Sequence, residues 1–282
     1  MKTRQLQALA LLVGLLLVPM AANADHHEMG PEPLTWLSYV QAQPGQSGPL
    51  TQNLAKNGAK IYDGLMADGH ILSWGVTMPV NHRAGDDWNV MEWVTFRDWA
   101  AVDSFMQAFM AAQMAKSPEE MMAEQKEWQS LVVPGSHHDE IVRHQVYSVS
   151  GETRPAYINL GYQTARPGKG QALAKQYKEW GDPTMKKLLE AGAITGYGFA
   201  TPAVHGGGNG THILWYAMSN LAARDAVSAG FDAAAEARGP EAQKEAMTKF
   251  AETVDITAHH DRIFMIVHLG GGGGDGDGDG GE

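Results

Sequence analysis

Residues 34–45, LTWLSYVQAQPG, return as residues 157–168, YINLGYQTARPG, at a shift of 123 positions. The shift places Tyr39 on Tyr162, and it continues without a gap over the following residues. Further pairs at the same shift are Ala42 with Ala165, Pro44 with Pro167, Gly45 with Gly168, Leu65 with Leu188, Gly69 with Gly192, Ile71 with Ile194, Gly75 with Gly198, Pro79 with Pro202 and His82 with His205. After a one-residue slip, the triplet His-His-Asp at 137–139 recurs at 259–261. Such sustained register predicts a tandem duplication.

The duplication divides most of the chain into two segments of similar length. We expect a first repeat at residues 34–149 and a second at residues 156–269, each the size of a domain. The polar stretch 150–155, SGETRP, is typical of a connecting turn.

The two ends of the chain have the composition of segments outside the fold. Residues 1–24 contain Lys2, Arg4, an apolar run at 8–18 and then Ala-Asn-Ala, the layout of a cleavable signal peptide. The apolar run is too short to span a bilayer, so we expect a periplasmic or secreted protein without a membrane span. Residues 270–282, rich in Gly and Asp, are expected to form a disordered acidic tail.

Composition narrows the range of partners. The chain has no cysteine, which excludes disulfides and thiolate metal sites. Without the two basic residues of the predicted signal peptide, 19 Lys and Arg stand against 32 Asp and Glu, a formal charge of −13. This balance argues against nucleic acid and anionic membranes as partners. Small molecules, metal ions and proteins remain, and an oligomer is possible.

Within the first repeat, the pattern predicts six or seven elements. Alternation and turn residues indicate strands, a 3.6-residue period indicates helices, and capping residues mark the helix starts. The predicted elements are a strand at 34–42, a helix at 50–68 ended by Gly69, strands at 71–78 and 89–96, a helix capped by Asp98, a helix with a capping box from Ser117, and a strand at 140–149. This β-α-β-β-α(α)-β order is the split βαβ, or ferredoxin-like, arrangement with strand order 4-1-3-2.

At the level of element order and duplication, the chain resembles the dimeric α/β-barrel superfamily. The resemblance implies an α+β fold in which two ferredoxin-like repeats pack their antiparallel sheets into a pseudo-dimeric barrel within one chain. That superfamily includes cofactor-independent monooxygenases, haem enzymes and proteins of no known activity. No motif selects one of these, so the resemblance assigns no catalytic residue.

The His-His-Asp triplets are the strongest catalytic candidates, because histidine titrates near neutral pH and a neighbouring carboxylate orients it. The candidates are His137, Asp139, His259 and Asp261. If the sheet edges of the two repeats join, His82 would face the second triplet and His205 the first, giving two pseudo-symmetric sites. The alternative is structural: each triplet caps the preceding helix and fixes the turn into the last strand.

Aromatic residues in strands suggest a ligand cavity between the sheets, although aromatics in strands are more often plain core. The candidate ligand-binding residues are Trp74, Tyr197, Tyr39, Tyr162, His82 and His205. Five methionines at helical spacing, residues 106, 110, 114, 121 and 122, are expected to be core rather than copper ligands.

No cofactor is obligatory on this sequence. Copper or zinc could use His138 and His260, and haem is possible through the resemblance. Cleavage after Ala24 would make His27 the third residue, which suits square-planar Cu(II) or Ni(II). The favoured alternative is a mobile terminus with no role.

Three functions follow from these observations. The preferred one is an exported binding protein for a small apolar or aromatic molecule held between the sheets. The second is a cofactor-free or metal-assisted monooxygenase or isomerase with His137 or His259 as general base. The third is a structural protein used in assembly.

Overall fold

The structure, a computed structural model, describes residues 32–81, 87–150, 153–204 and 211–270. The predicted signal peptide, His27, His82, His205 and all of the predicted tail except Gly270 lie outside the described residues.

The first half of the described chain has the predicted element order. Its elements are β1 (Leu34–Val40), α1 (Ser47–Ala67), β2 (Ile71–Pro79), β3 (Val90–Phe96), α2 (Trp99–Met114), α3 (Pro118–Leu131) and β4 (His138–Val149).

The second half repeats that order with one interruption. Its elements are β5 (Tyr157–Ala165), α4 (Gly170–Gln176), a π-helical turn (Tyr177–Gly181), α5 (Asp182–Glu190), β6 (Gly196–Pro202), β7 (Thr211–Met218), α6 (Ala223–Arg238), α7 (Pro240–Thr253) and β8 (Val254–Leu269). The π turn precedes Pro183, which has no N–H to donate to the preceding helical turn.

The helix boundaries follow the predicted capping chemistry. The Asp98 side chain accepts a hydrogen bond from the Ala101 N–H at 2.9 Å and starts α2. Ser117 and Glu120 form the predicted capping box at α3. Gly69 follows α1 at φ 73°, a conformation that side chains disfavour. These three predictions are confirmed.

All eight strands close into one antiparallel barrel in the order β1-β3-β2-β8-β5-β7-β6-β4. Each half contributes its four strands in the predicted 4-1-3-2 order. The edges of the two sheets then join, β2 to β8 with Pro79 opposite Phe264, and β4 to β6 with Val142 opposite Pro202. The predicted α+β barrel, closed edge to edge, is confirmed.

Side chains that point into the barrel form one core, and side chains on the other face of each sheet pack against the helices. Trp93 and Trp215 are among the buried residues of the barrel interior. A Cβ added to Gly75 would lie 2.2 Å from the Trp93 ring, and one added to Gly198 would lie 2.5 Å from Trp215 Nε1. The two glycines therefore provide the space that these rings occupy.

The helices cover the outside of the barrel. Among the described residues, no helix combines the length and apolar character needed to cross a membrane. The prediction that the five methionines are core is wrong, because each is between 37% and 77% exposed. Their helices, α2 and α3, use only one side against the sheet and α1, so the rest of their wide apolar stripes faces outward.

Candidate functional site

A large cavity of the first half lies between the helix-facing side of β1 and β3 and the helices α1, α2 and α3. This helix–sheet cleft has a volume of about 590 Å³. Its wall is largely aromatic and aliphatic, as in sites for small organic molecules. The apolar wall includes Trp36, Leu54, Ile61, Val94, Phe105, Phe109 and Trp128.

A row of three polar side chains crosses the floor of the cleft. Ser38 on β1 pairs with Glu92 on β3 and, on its other side, with Asp139 on β4. Strands are spaced about 4.8 Å apart, so the row spans roughly 10 Å between the outer two backbones. All three residues line the cleft. The Ser38 hydroxyl donates a hydrogen bond to Asp139 Oδ1.

Glu92 is the most perturbed carboxyl group in this row. Burial raises its pKa from the ordinary 4.5 to about 7, and the negative charge of Asp139 adds to the increase. A hydrogen bond from the Tyr62 hydroxyl to Glu92 Oε2, at 3.3 Å, and the nearby His137 act in the opposite direction. Glu92 is therefore set to gain and lose a proton near neutral pH.

His137 and Asp139 form an ion pair at the end of the cleft, with His137 Nε2 at 3.1 Å from Asp139 Oδ1. The hydrogen bond to Asp139 raises the pKa of His137. Burial would raise the pKa of Asp139, but hydrogen bonds from His137, Ser38 and Trp36 outweigh burial and lower it. The pair thus favours a protonated imidazole and an ionised carboxylate.

Tyr62 is held towards Glu92 by the packing of α1. A Cβ added to Gly58, one turn earlier, would lie 2.8 Å from the Tyr62 ring and 2.9 Å from the Trp74 ring. The Tyr62 and Trp74 rings meet edge to face with centroids 5.0 Å apart. Glycine at position 58 therefore allows the close stack that orients the Tyr62 hydroxyl.

The second half keeps the His-Asp pair but not its neighbours. His259 Nε2 lies 3.8 Å from Asp261 Oδ1. In the row equivalent to Glu92, Ser38 and Asp139, strand pairing places Leu214, Gly161 and Asp261. The titratable carboxyl group at the Glu92 position of the first half is therefore replaced by the apolar Leu214 in the second.

The predicted pairing of histidines between the halves depends on His82 and His205, which lie outside the described residues, and it stays a prediction. Asn81, at the last described position before His82, contacts β8. The Asn81 side chain donates to the Asp261 carbonyl at 3.3 Å and accepts from the Ile263 N–H at 2.8 Å. The end of β2 therefore reaches β8 at the level of the second triplet.

The second histidine of each triplet stacks on a tyrosine. The His138 and Tyr39 ring centroids are 4.8 Å apart, and those of His260 and Tyr162 are 4.9 Å apart. The two tyrosine hydroxyls meet at 3.2 Å inside the barrel. Tyr39 and Tyr162 therefore close one end of the barrel by contacting each other across it.

The metal prediction for His138 and His260 gains no support from this packing. Within the part of the chain that the structure describes, no group of three or more His, Asp or Glu side chains is placed to hold a metal ion. The described residues therefore provide no copper or zinc site of this kind, and haem binding stays a prediction.

Trp74 and Tyr197 do not lie between the sheets, so this part of the predicted ligand site is corrected. Trp74 Nε1 donates to Asp63 at 2.9 Å, and the Tyr197 hydroxyl donates to Asp182 at 2.8 Å, both on the helix side. Alternation along a strand explains the placement, because the adjacent residues, Gly75 and Gly198, face the barrel interior.

A second cavity, the barrel cavity, lies between the sheets and has a volume of about 200 Å³. His144 on β4 faces it and is fully buried. Burial lowers the pKa of His144 to about 3, so this imidazole is neutral at physiological pH.

Sequence reasoning missed Glu92 and His144, although both carry a signal. Glu92 is the only charged residue in the seven-residue strand VMEWVTF, and His144 shares a face with Val142 by period-two alternation.

No protein-family model matches the chain, and no curated protein matches it. Several solved structures do. A proposed monooxygenase from Lactobacillus acidophilus NCFM is 12% identical, with 84% of this chain and 95% of that chain covered and a TM-score of 0.56. A second proposed monooxygenase, from Fusobacterium nucleatum, is 7% identical, with coverages of 86% and 95% and a TM-score of 0.54. An anthrone oxidase-like protein is 13% identical, with coverages of 85% and 93% and a TM-score of 0.49.

At these identities the likeness concerns the fold alone. The first two structures and the closed eight-stranded barrel together confirm the resemblance inferred from the order of elements. The chain has the dimeric α/β-barrel fold.

Proposed function

We propose that the protein binds a small, planar, largely apolar molecule in the helix–sheet cleft and that Glu92 transfers a proton to or from it. The observation that carries this proposal is a carboxyl group with a pKa of about 7 on the floor of an aromatic-walled cleft. A general base works best when its pKa is close to the working pH. The site is then a cofactor-free acid–base centre.

The neighbouring groups have complementary roles in this proposal. The Tyr62 hydroxyl donates to Glu92 and orients the ionised carboxylate. When Glu92 takes a proton from a phenol, or from a C–H group next to a carbonyl, negative charge develops on the ligand. His137, kept protonated by Asp139, supplies positive charge in the same cleft.

The predicted general base therefore changes from His137 or His259 to Glu92. Because the hydrogen bond to Asp139 raises the pKa of His137, this imidazole is more often protonated near neutral pH, and in that form it cannot accept a proton.

Two reactions follow from one deprotonation. If Glu92 returns the proton to a different atom of the ligand, the reaction is an isomerisation. If the deprotonated ligand reacts with dioxygen as co-reactant, the reaction is an oxygenation, and two structural neighbours are themselves proposed monooxygenases. The two formed cavities weigh against the third alternative, a structural protein with a filled interior.

The proposal also covers the origin of the two halves by duplication and the export of the protein. We infer that residues 34–149 and 156–269 descend from one duplicated unit, supported by their 123-residue register and the matching contacts of Gly75 and Gly198 with tryptophans. Export to the periplasm or medium rests on residues 1–24. Mass spectrometry of the exported protein should give a chain that begins at Asp25. An uncleaved or intracellular chain would refute the proposed export.

Deuterium exchange into 2-tetralone tests the acid–base function, because this apolar bicyclic ketone has a C–H group activated by a carbonyl. Proton NMR in D₂O should show faster exchange with residues 25–282 than with buffer alone. Loss of the catalytic carboxylate in Glu92→Gln should reduce the enzymatic rate by roughly 100-fold or more. Glu127→Gln, on the exposed face of α3, is the matched control and should retain the full rate.

A separate binding assay distinguishes ligand binding in the cleft from proton transfer by Glu92. The fluorescence of 2-naphthol should report saturable binding that Asn57→Trp, which fills the cleft from α1, abolishes. Binding without exchange would leave a binding protein and refute the acid–base role. Naphthol binding that Asn57→Trp leaves intact would place the ligand outside the cleft.

A further inference from the structure

The barrel cavity is separate from the helix–sheet cleft and lies on the opposite face of the first-half sheet. It occupies the end of the barrel away from the Tyr39–Tyr162 pair, near the start of β1 and the end of β4. The exposed side chains of Leu72 and Val149 stand at its mouth. No Asp, Glu, Lys or Arg is among the described residues that line it.

The polar groups along one wall form a chain of hydrogen bonds. Trp215 Nε1 can only donate, so His144 Nδ1, at 3.2 Å, accepts. His144 Nε2 therefore carries the proton and donates to the Thr35 hydroxyl at 2.7 Å. The Thr35 and Thr95 hydroxyls share a hydrogen bond at 2.9 Å. Thr95 continues the chain to Tyr147. Both nitrogens of His144 are thus engaged, and the imidazole stays neutral.

Thr195 lines the same cavity and differs from this wall. Only 6% of the residue is exposed, and its hydroxyl has no hydrogen-bond partner within the described part of the chain. Its backbone is fully used, with the N–H on the Ala217 carbonyl and the carbonyl accepting from Ser150. A buried hydroxyl without a partner is costly, so this hydroxyl marks a position where a ligand group can bind.

We propose that the barrel cavity is a second binding site, for an uncharged molecule of about one six-membered ring that bears a hydroxyl or carbonyl group. The ring would fill the apolar space, and its polar group would form a hydrogen bond with the Thr195 hydroxyl. A dry apolar cavity of about 150 Å³ is known to take up benzene, so about 200 Å³ accommodates a ring with one or two substituent atoms. The uncharged walls disfavour anions and cations.

Fluorine NMR with 4-fluorophenol and 4-fluorotoluene tests this site, because the two probes have a similar shape and differ in the hydroxyl. Both should bind the wild-type protein saturably, with 4-fluorophenol the tighter. Thr195→Val keeps the side-chain shape and removes the hydroxyl. The variant should weaken 4-fluorophenol roughly three- to tenfold, the range expected for one neutral hydrogen bond, and leave 4-fluorotoluene unchanged.

Two control variants locate the binding. Thr77→Val removes a buried threonine hydroxyl that is bonded to the Met91 carbonyl and does not line the cavity, so the affinity for both probes should stay unchanged. Ala200→Leu narrows the cavity from a fully buried position and should weaken both probes. Asn57→Trp blocks only the cleft and should weaken neither.

Three results would overturn the proposal. The first is no saturable binding of either probe. The second is an equal affinity of 4-fluorophenol for wild type and Thr195→Val, which would show that the Thr195 hydroxyl does not bind the probe. The third is loss of binding in Asn57→Trp, which would assign the probes to the helix–sheet cleft.

Discussion

Replacing Glu92 with glutamine should change how the stability of the protein depends on pH. Burial raises the pKa of this carboxyl group from the ordinary 4.5 to about 7. The two pKa values differ by about 2.5, and each pKa unit corresponds to about 1.4 kcal/mol. The difference therefore corresponds to about 3 kcal/mol in the free energy of unfolding. Because the side chain faces a partly open cleft, screening by solvent reduces the expected effect to about 2 kcal/mol.

The sign follows from the protons bound by each state. Below pH 4.5 Glu92 is protonated in the folded and unfolded chains, and above pH 7 it is ionised in both. Between these values the unfolded chain has lost the proton that the folded chain keeps. Glu92 therefore destabilises the fold increasingly from pH 4.5 to 7, and fully above pH 7. Glutamine has the same shape and does not carry this charge.

Urea unfolding followed by tryptophan fluorescence between pH 4 and 8 measures the effect. The stability of Glu92→Gln relative to wild type should rise by about 2 kcal/mol from the lowest to the highest pH. Glu127→Gln controls for loss of an exposed carboxylate. A constant difference between Glu92→Gln and wild type over this range would refute the assignment of Glu92 as a buried titrating group.

Three further predictions concern the barrel. Tyr39→Phe and Tyr162→Phe should each destabilise the protein, and a double-mutant cycle should give a coupling of about 0.5–1.5 kcal/mol for their shared hydrogen bond; additive effects would contradict the contact. Gly198→Ala should lower the free energy of unfolding by about 1–3 kcal/mol, because the added Cβ would lie 2.5 Å from an indole nitrogen. Gly64→Ala, where the added Cβ meets no neighbouring atom on α1, should raise it by about 0.5–1 kcal/mol. Urea unfolding measures both changes. The ¹⁵N spectrum of His144 should show a neutral ring with its proton on Nε2 from pH 4 to 8, and a midpoint near 6.5 would contradict its burial.

The order and ends of the elements were predictable because local chemistry determines them. Asp98 and the Ser117 capping box satisfy free N–H groups at helix starts whatever surrounds them. The 4-1-3-2 strand order follows from the split βαβ topology, and joining the sheet edges removes unpaired strand edges. The outward-facing methionines were not predictable in this way, since a helix pattern does not show how much of its apolar stripe the sheet covers.

The sites were less predictable because they depend on which face of a strand turns inward. The triplet at 137–139 correctly indicated a His-Asp pair, since residues two apart on a strand share a face. By the same rule, Trp74 lies on the helix side because its neighbour Gly75 faces the barrel interior. The alternation alone does not show which of the two residues faces inward. The charge of Glu92 within an apolar strand is visible in the sequence, but the strand pairing that places Ser38 and Asp139 beside it is not.

The two halves differ at the positions that carry chemistry and agree at those that shape the barrel. Gly75 and Gly198 each lie under an inward-facing tryptophan and leave the space that its ring occupies. Where the first half has Glu92, the second has Leu214, and the buried row loses its proton-binding group. A buried carboxyl group weakens the fold, so a second copy of it would add a second destabilising contribution. The second half has Leu214 and Gly161 in place of Glu92 and Ser38 and keeps only the aspartate of the row, Asp261, so the destabilising buried glutamate occurs in one half of the barrel.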